Sequence, residues 1–399
     1  MAISASERYA LDLLRAWHTG EPAPCICEGV DCGEVREELR RQTVMALPTD
    51  VFLKAGLSKE LENKCLLDVA NVLKKWFEVM LAQGEVLRLL ASGGIAVAVL
   101  KGAAAGMYYP EPERRCMGDI DLIVGPDEFV WALEVLTDRG WADNTPECGN
   151  PRHACLFKKG FPEVELHRRF SSSGNKAQDD CLDERVFRGL GSVRMVDVGG
   201  FQVPVLPPLE NGLVLLSHVN QHLGSGLGLR QILDWMLFVE AELDDGLWEN
   251  GFEQAAGSIG MECLARTLTL MCRRHLGLKR TAAWCSDADP ALADDLLEYI
   301  MAKGNMGRKR DRGEQATLTV LHRFRDPVSA VKGMYASGCA HWKFARERPL
   351  LAPAAVVYGG LHYLRKGLKR GISLNQLREE ARRSSEEVRL FERLGVTRL

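Results

Sequence analysis

Two aspartates one residue apart, Asp119 and Asp121, stand in the run GDIDLIV at 118–124. On a strand, residues i and i+2 project from the same face about 6.6 Å apart along the chain, so both carboxylates face one way while Ile120 and Leu122 face the other. Acids so placed can bridge divalent ions about 3.5–4 Å apart, the spacing of two-metal phosphoryl-transfer sites. A third carboxylate on a neighbouring strand would complete the cage. The segment EVELHRR at 163–169 offers it, with Glu163, Glu165 and His167 alternating against Val164 and Leu166. Taken alone, Asp-x-Asp is a common accident of exposed strands and loops, so its context must carry the reading.

That context is ordered. Ile95 to Leu100 (IAVAVL) is a β-branched apolar run of the kind a buried strand needs, ending in Lys101-Gly102 and the helix-compatible AAAGMYY. A glycine in such a turn lets a phosphate approach the backbone, and the following helix start presents free N–H groups. Lys101 and Arg115 could offset phosphate charge, and each would serve equally well in an ion pair. His167 shares a face with Glu165, where it could touch nucleotide or metal or act as a satisfied structural histidine. His218 and His222 are one helical turn apart but lack the glutamate of H-E-x-x-H; they read as packing against the strand unit, with Arg230 pairing to Asp234 one turn on.

The elements that must position these groups follow from periodicity. Ser4 and Glu7 fit a capping box opening a first helix, and a second helix spans about Lys59 to Ser92. Asp119 to Val124 is a strand, and Pro126 at the first helical position opens a helix running to about Arg139, closed by Gly140. Strands at His153 to Lys158 and Glu163 to Arg169 precede a hairpin, Val193 to Val198 and Phe201 to Val205, turning at Gly199-Gly200. After Leu206-Pro207-Pro208 the pattern is helical: Asn211 to Leu223, Leu229 to Leu243, Gly251 to Leu276 and Ala291 to Met301. The basic run at 303–313 reads as an exposed loop.

Taken together, LKGAA at 100–104, YPEPERRCMGDIDLIV at 109–124, VELHRR at 164–169, VPVLPP at 203–208 and His218, His222, Arg230 and Asp234 resemble one family. It is the bacterial uncharacterised nucleotidyltransferase branch of the DNA polymerase β-like nucleotidyltransferase superfamily. The resemblance covers about 90 to 240 closely. It implies Mg²⁺-dependent transfer of a nucleoside monophosphate from an NTP to an acceptor hydroxyl, with two ions and release of pyrophosphate. Asp119, Asp121 and Glu165 would be the catalytic and metal-holding acids; Lys101, Gly102, Ala103, Arg115 and His167 would line the nucleotide. Ala103 departs from the Gly-Ser or Gly-Gly of the wider superfamily and removes a hydroxyl contact, and the gap from Gly102 to Asp119 is longer than in minimal members. A catalytically degraded nucleotide- or protein-binding module, or another metal-dependent phosphoryl enzyme such as a hydrolase, would use the same acids.

The expected fold is α+β: a nucleotidyltransferase-like mixed sheet at 91–206 between a helical region at 1–90 and a larger helical region at 207–399. With 46% hydrophobic and 26% charged residues in 399, a mainly disordered or fibrous chain is excluded. The net charge of −3 conceals an asymmetry, since residues 301–399 hold 21 Lys and Arg against 9 Asp and Glu. The chain lacks the overall basic excess of a non-specific nucleic-acid binder, and the basic end reads either as solvated helix faces or as a surface for an acidic acceptor such as RNA or protein. The acceptor, small molecule or macromolecule, is chosen in this fold by the appended helices and loops.

The opening MAISASERYALDLLRAW carries Glu7, Arg8, Asp12 and Arg15 where a signal peptide would be apolar, and the longest apolar stretch, Pro349 to Leu364, is too short to span a bilayer. Twelve scattered cysteines then point to a reducing cytoplasm without membrane attachment. Cys25, Cys27 and Cys32, with His18 nearby, are zinc-type donors but not at the paired spacing of structural zinc sites, and read as loop cysteines.

Overall fold

The computed structural model describes residues 3–144, 152–171, 175–305, 351–369 and 386–396, and a few positions between 331 and 342. The chain forms two compact units, one of residues 1–306 with 394–398 and one of residues 307–393 with 399. The basic run from residue 306 onward, including Arg308, Lys309 and Arg310, lies outside the described residues. Within the second unit, Ala352–Lys369 forms a helix.

In the first unit the chain opens with α1 (Ala5–Thr19), started by the Ser4–Glu7 capping box and stopped by Gly20 in the left-handed region. Next come α2 (Cys32–Arg41), α3 (Thr49–Leu53) and the 34-residue α4 (Lys59–Ser92), capped by the Ser58 hydroxyl, which accepts from the Leu61 N–H. Strand β1 (Val97–Leu100) leads into the short α5 (Gly102–Gly106), then β2 (Ile120–Val124), α6 (Phe129–Thr137) and β3 (Ala142–Asp143). Pro126 lies in the turn before α6 and not at its first position; Glu128 is the cap, so the helix starts three residues later than the proline suggested.

Strands β4 (His153–Phe157) and β5 (Val164–His167) precede α7 (Lys176–Leu190), and the hairpin β6 (Arg194–Val198) and β7 (Phe201–Val205) follows. Gly199 and Gly200 both have positive φ, 60° and 88°, as a tight two-residue hairpin turn demands. Then the chain turns helical: α8 (Pro208–Leu223), α9 (Leu229–Ala241), α10 (Glu262–His275) and α11 (Pro290–Lys303). The helix expected over Gly251 to Leu276 is divided, because Gly260 adopts a φ of 69° between Glu253–Ser258 and α10.

The fold is α+β around a seven-stranded mixed sheet of order β3-β4-β5-β2-β1-β7-β6. Strands β1 and β2 are antiparallel, whereas β2–β5 and β1–β7 are parallel. Alternation gives each central strand two different faces. Val97 and Val99, Ile120, Leu122 and Val124, Val164 and Leu166, and Ala154 and Leu156 pack into one core with Trp76, Met80, Val86 and Leu90 of α4 and Ala132 and Leu136 of α6. Burying one such aliphatic side chain contributes about 1.5–3 kcal/mol, so this face holds the sheet to α4 and α6. The opposite face is left for Asp121, Glu165, His167 and His153. Among the described residues, no helix is long and apolar enough to cross a membrane.

Candidate active site

The strand registers bring the sequence-predicted acids together. In the parallel β2–β5 pair Asp121 lies opposite Glu165 and Ile120 opposite Val164, while the Ile120 N–H donates to the Glu163 carbonyl at 3.0 Å. Asp121 and Glu165 are therefore neighbours on one face, and Asp119, just before β2, is beside Glu163 at the solvent-facing end. Glu163 itself hydrogen-bonds the Cys155 side chain, and burial and then Glu165 raise its carboxyl above the ordinary value.

Asp121 is the buried centre, 5% exposed. Its Oδ1 accepts from Lys101 Nζ at 2.8 Å and lies 3.0 Å from His167 Nε2. Burial alone would push the Asp121 carboxyl up; Lys101 and the His167 hydrogen bond outweigh it and hold it well below the usual range. The converse holds at Lys101 and His167: burial opposes their charge, but Asp121 raises the ammonium, and hydrogen bonds to Asp121 and Glu165 raise the imidazole. His167 Nε2 is also 3.3 Å from Glu165 Oε2, and His153 Nδ1 is 3.7 Å from that oxygen. Asp119 reaches solvent, yet surrounding protein and then Asp121 raise its carboxyl. These carboxylates repel one another, an arrangement that a dication relieves.

Lys101 is aimed at Asp121 by an unusual backbone. Its φ of 53° and ψ of −130° are sparsely populated for a residue with a Cβ, and Gly102 follows at φ 29°. Such a conformation costs of order 1–3 kcal/mol and persists only where the surroundings impose it. Here the turn must pass directly from buried β1 to α5, whose first hydrogen bond runs from the Ala105 N–H to the Lys101 carbonyl at 2.8 Å. Ala103, next in α5, is fully buried.

Of the two roles its sequence offered, phosphate neutralisation or an ion pair, Arg115 makes an ion pair. It is buried, and its fork grips Asp234 of α9, with Nε to Oδ1 at 2.7 Å and Nη2 to Oδ2 at 2.6 Å, while the Tyr109 hydroxyl donates to the same Oδ1 at 2.8 Å. The bidentate match occupies both carboxylate oxygens. Arg230 therefore does not pair with Asp234 as its spacing suggested; its Nη1 donates to the Cys116 carbonyl at 3.0 Å. Arg230 is instead a cation near the site, lowering the Asp119 carboxyl alongside Lys101.

His218 of α8 is 7% exposed and packs its ring against His222, with centroids 4.7 Å apart. Burial, then the nearby Lys101, His222 and Arg230, depress it well below the ordinary imidazole value, so it is neutral beside the carboxylates. The loop cysteines Cys25 and Cys27 are exposed, Cys32 begins α2, and His18 is bound to Glu240 at 3.1 Å. Sequence reasoning gave His153 no role. Its alternation with Cys155 was legible, but only the antiparallel pairing of His153 with His167 brings it to the site.

The residues present fit a divalent metal: Asp121 and Glu165 share one face, and among the described residues His153, Glu165 and His167 bring one donor atom each within 4.8 Å of one another, with His153 Nδ1 buried and without a hydrogen-bond partner. A comparison with the curated proteins finds no match. A model of the uncharacterised nucleotidyltransferases matches residues 44–277, well over half of the 399, and spans the sheet, the acids and α8 to α9. The acids of β2 and β5 thus lie inside the matched segment, and the chain belongs to the uncharacterised nucleotidyltransferase family.

Proposed function

We propose that the protein transfers a nucleoside monophosphate from an NTP to an acceptor hydroxyl with Mg²⁺ at Asp119, Asp121 and Glu165. The observation that carries this reading is the parallel register that sets Glu165 against Asp121 on the sheet face opposite the α4–α6 core. Mg²⁺ held there would neutralise the triphosphate and polarise the α-phosphoryl group. Glu165, only partly buried, would take the acceptor's proton at a carboxylate oxygen. The acceptor oxygen bonds to the α-phosphorus as the bond to the bridging oxygen breaks, and pyrophosphate leaves with that electron pair. Lys101 and Arg230 supply positive charge near the acids, and Gly102, lacking a Cβ, would admit a phosphate to the backbone. All the cysteines among the described residues are free, which supports a reducing compartment such as the cytoplasm.

One observation favours a second reading, nucleotide or protein binding without chemistry. Asp121 Oδ1 is already engaged by both Lys101 and His167, a charge-balanced state that needs no metal. Calorimetry with ATP, GTP, CTP and UTP, with and without Mg²⁺, followed by incubation of each labelled NTP in a cell extract, separates the two. Mg²⁺-dependent binding with label transferred supports the enzyme; binding without transfer supports the second reading; no Mg²⁺-dependent binding of any NTP overturns the first.

A further inference from the structure

The antiparallel β4–β5 pair sets His153 opposite His167 and Cys155 opposite Glu165. His153, Glu165 and His167 thereby point one donor atom each into the same small space, all within 4.8 Å of one another. Their states differ. His167 is satisfied: Nε2 meets Asp121 and Glu165, and Nδ1 lies 3.4 Å from the Arg169 carbonyl. His153 is more than nine-tenths buried, yet its Nδ1 has no hydrogen-bond partner, and Glu165 Oε2 at 3.7 Å is beyond hydrogen-bond length. A buried imidazole nitrogen left open is costly, and a merely structural histidine would be expected to find a partner.

We infer that His153, Glu165 and His167 form a transition-metal site, taking a nitrogen-seeking dication of the Zn²⁺ class through His153 Nδ1, Glu165 Oε2 and His167 Nε2. Two imidazoles and one carboxylate are a donor set suited to Zn²⁺ or Co²⁺, whereas Mg²⁺ takes oxygen ligands. Bonds of about 2.0–2.2 Å place ligand atoms roughly 3.3–3.6 Å apart around a tetrahedral ion. The Glu165–His167 separation, 3.3 Å, lies in that range and the Glu165–His153 separation, 3.7 Å, just above it, so with all three atoms within 4.8 Å of one another a small rotation of the His153 ring closes the site. The Arg169 carbonyl at the second nitrogen of His167 is the type of contact that orients a ligating imidazole. Binding there draws His167 Nε2 from Asp121 and occupies Glu165, so the ion would compete with Mg²⁺ for the third carboxylate. The inference borrows from the nucleotidyl-transfer reading only the position of Glu165.

The test is a spectroscopic titration of the full-length, chelator-treated chain with Co²⁺, without nucleotide. The expected result is one equivalent bound with the intense visible bands of a four-coordinate nitrogen-containing site, displaced by Zn²⁺ but not by Mg²⁺. H153Q and H167Q should weaken binding tenfold or more. H153C should restore it with an added sulfur-to-cobalt charge-transfer band, which guards against a folding defect in H153Q. D119N should bind Co²⁺ as the natural chain does. Absence of Co²⁺ binding, or H153Q and H153C binding indistinguishably from the natural chain, overturns the site. Parallel calorimetry with Mg²⁺–NTP keeps the readings apart: loss of Co²⁺ binding with Mg²⁺–NTP binding intact sinks this inference alone, and the reverse sinks only the nucleotidyl-transfer reading.

Discussion

Asp121 and Glu165, 44 positions apart in the chain, stand directly opposite each other across the parallel β2–β5 pair, with His167 Nε2 within 3.0 Å of one carboxylate and 3.3 Å of the other. This pairing distinguishes the two glutamates of EVELHRR. Glu163 is level with Asp119 and engaged with Cys155, while Glu165 is level with the buried aspartate. E165Q should therefore lower turnover roughly 10²-fold or more, by removing a metal ligand charge and the proton acceptor, and E163Q should cost much less. Steady-state rates with a labelled NTP decide it; a dead E163Q beside an active E165Q would reverse the assignment.

Lys101 is the buried counter-ion of Asp121, its side chain 14% exposed. Replacing it with Met keeps the length and removes the charge, leaving a buried carboxylate held only by His167. Breaking one side of such a pair costs about 3–5 kcal/mol, and the remaining hydrogen bond places the expected loss at the low end. Urea denaturation of K101M measures it, and an unchanged midpoint would refute the pairing.

Arg115 and Asp234 make a different prediction, because their fork ties the segment before β2 to α9 rather than facing the carboxylates. R115L should destabilise the fold by about 3–5 kcal/mol, since Asp234 is left buried with only the Tyr109 hydroxyl. Below its lowered melting temperature, the folded variant should bind Mg²⁺–NTP within a few-fold of the natural chain. Arg230→Ala should do the opposite, weakening nucleotide binding with a smaller stability loss. Paired denaturation and calorimetry on both variants separates the clamp from the cation near the acids.

His218 carries the pH dependence. Its folded pKa is far below the unfolded value because the ring is buried near Lys101, His222 and Arg230. The unfolded chain thus takes up a proton first as pH falls. Its share of stability is whole above about pH 6.5 and is lost as pH drops towards the folded pKa. His218→Asn removes that share, so its stability should decline less steeply below about pH 6.5 than that of the natural chain. Denaturation series at pH 5 to 8, compared as a difference between the two proteins, test the slope; parallel profiles would show that His218 titrates alike in both states.

The alternation of DIDLIV and VELH was sufficient to state that Asp119, Asp121, Glu165 and His167 could share a face, because side-chain direction on a strand depends only on the local backbone. The capping box at Ser4, the two-glycine hairpin turn and the amphipathic helices were legible for the same reason: their causes lie within a few residues. What lay beyond the sequence was pairing. Whether β5 runs beside β2, and at which register, is fixed by burying Val164 and Leu166 with Ile120 and Leu122 against α4. That choice put Glu165 level with Asp121, and the separate antiparallel β4–β5 register put His153 level with His167. Arg115 and Arg230 show the limit from the other side. One turn of helix predicts that Arg230 meets Asp234, but a guanidinium arriving from 119 residues away matches the carboxylate with two hydrogen bonds, and in a buried site the better-satisfied pair takes the acid.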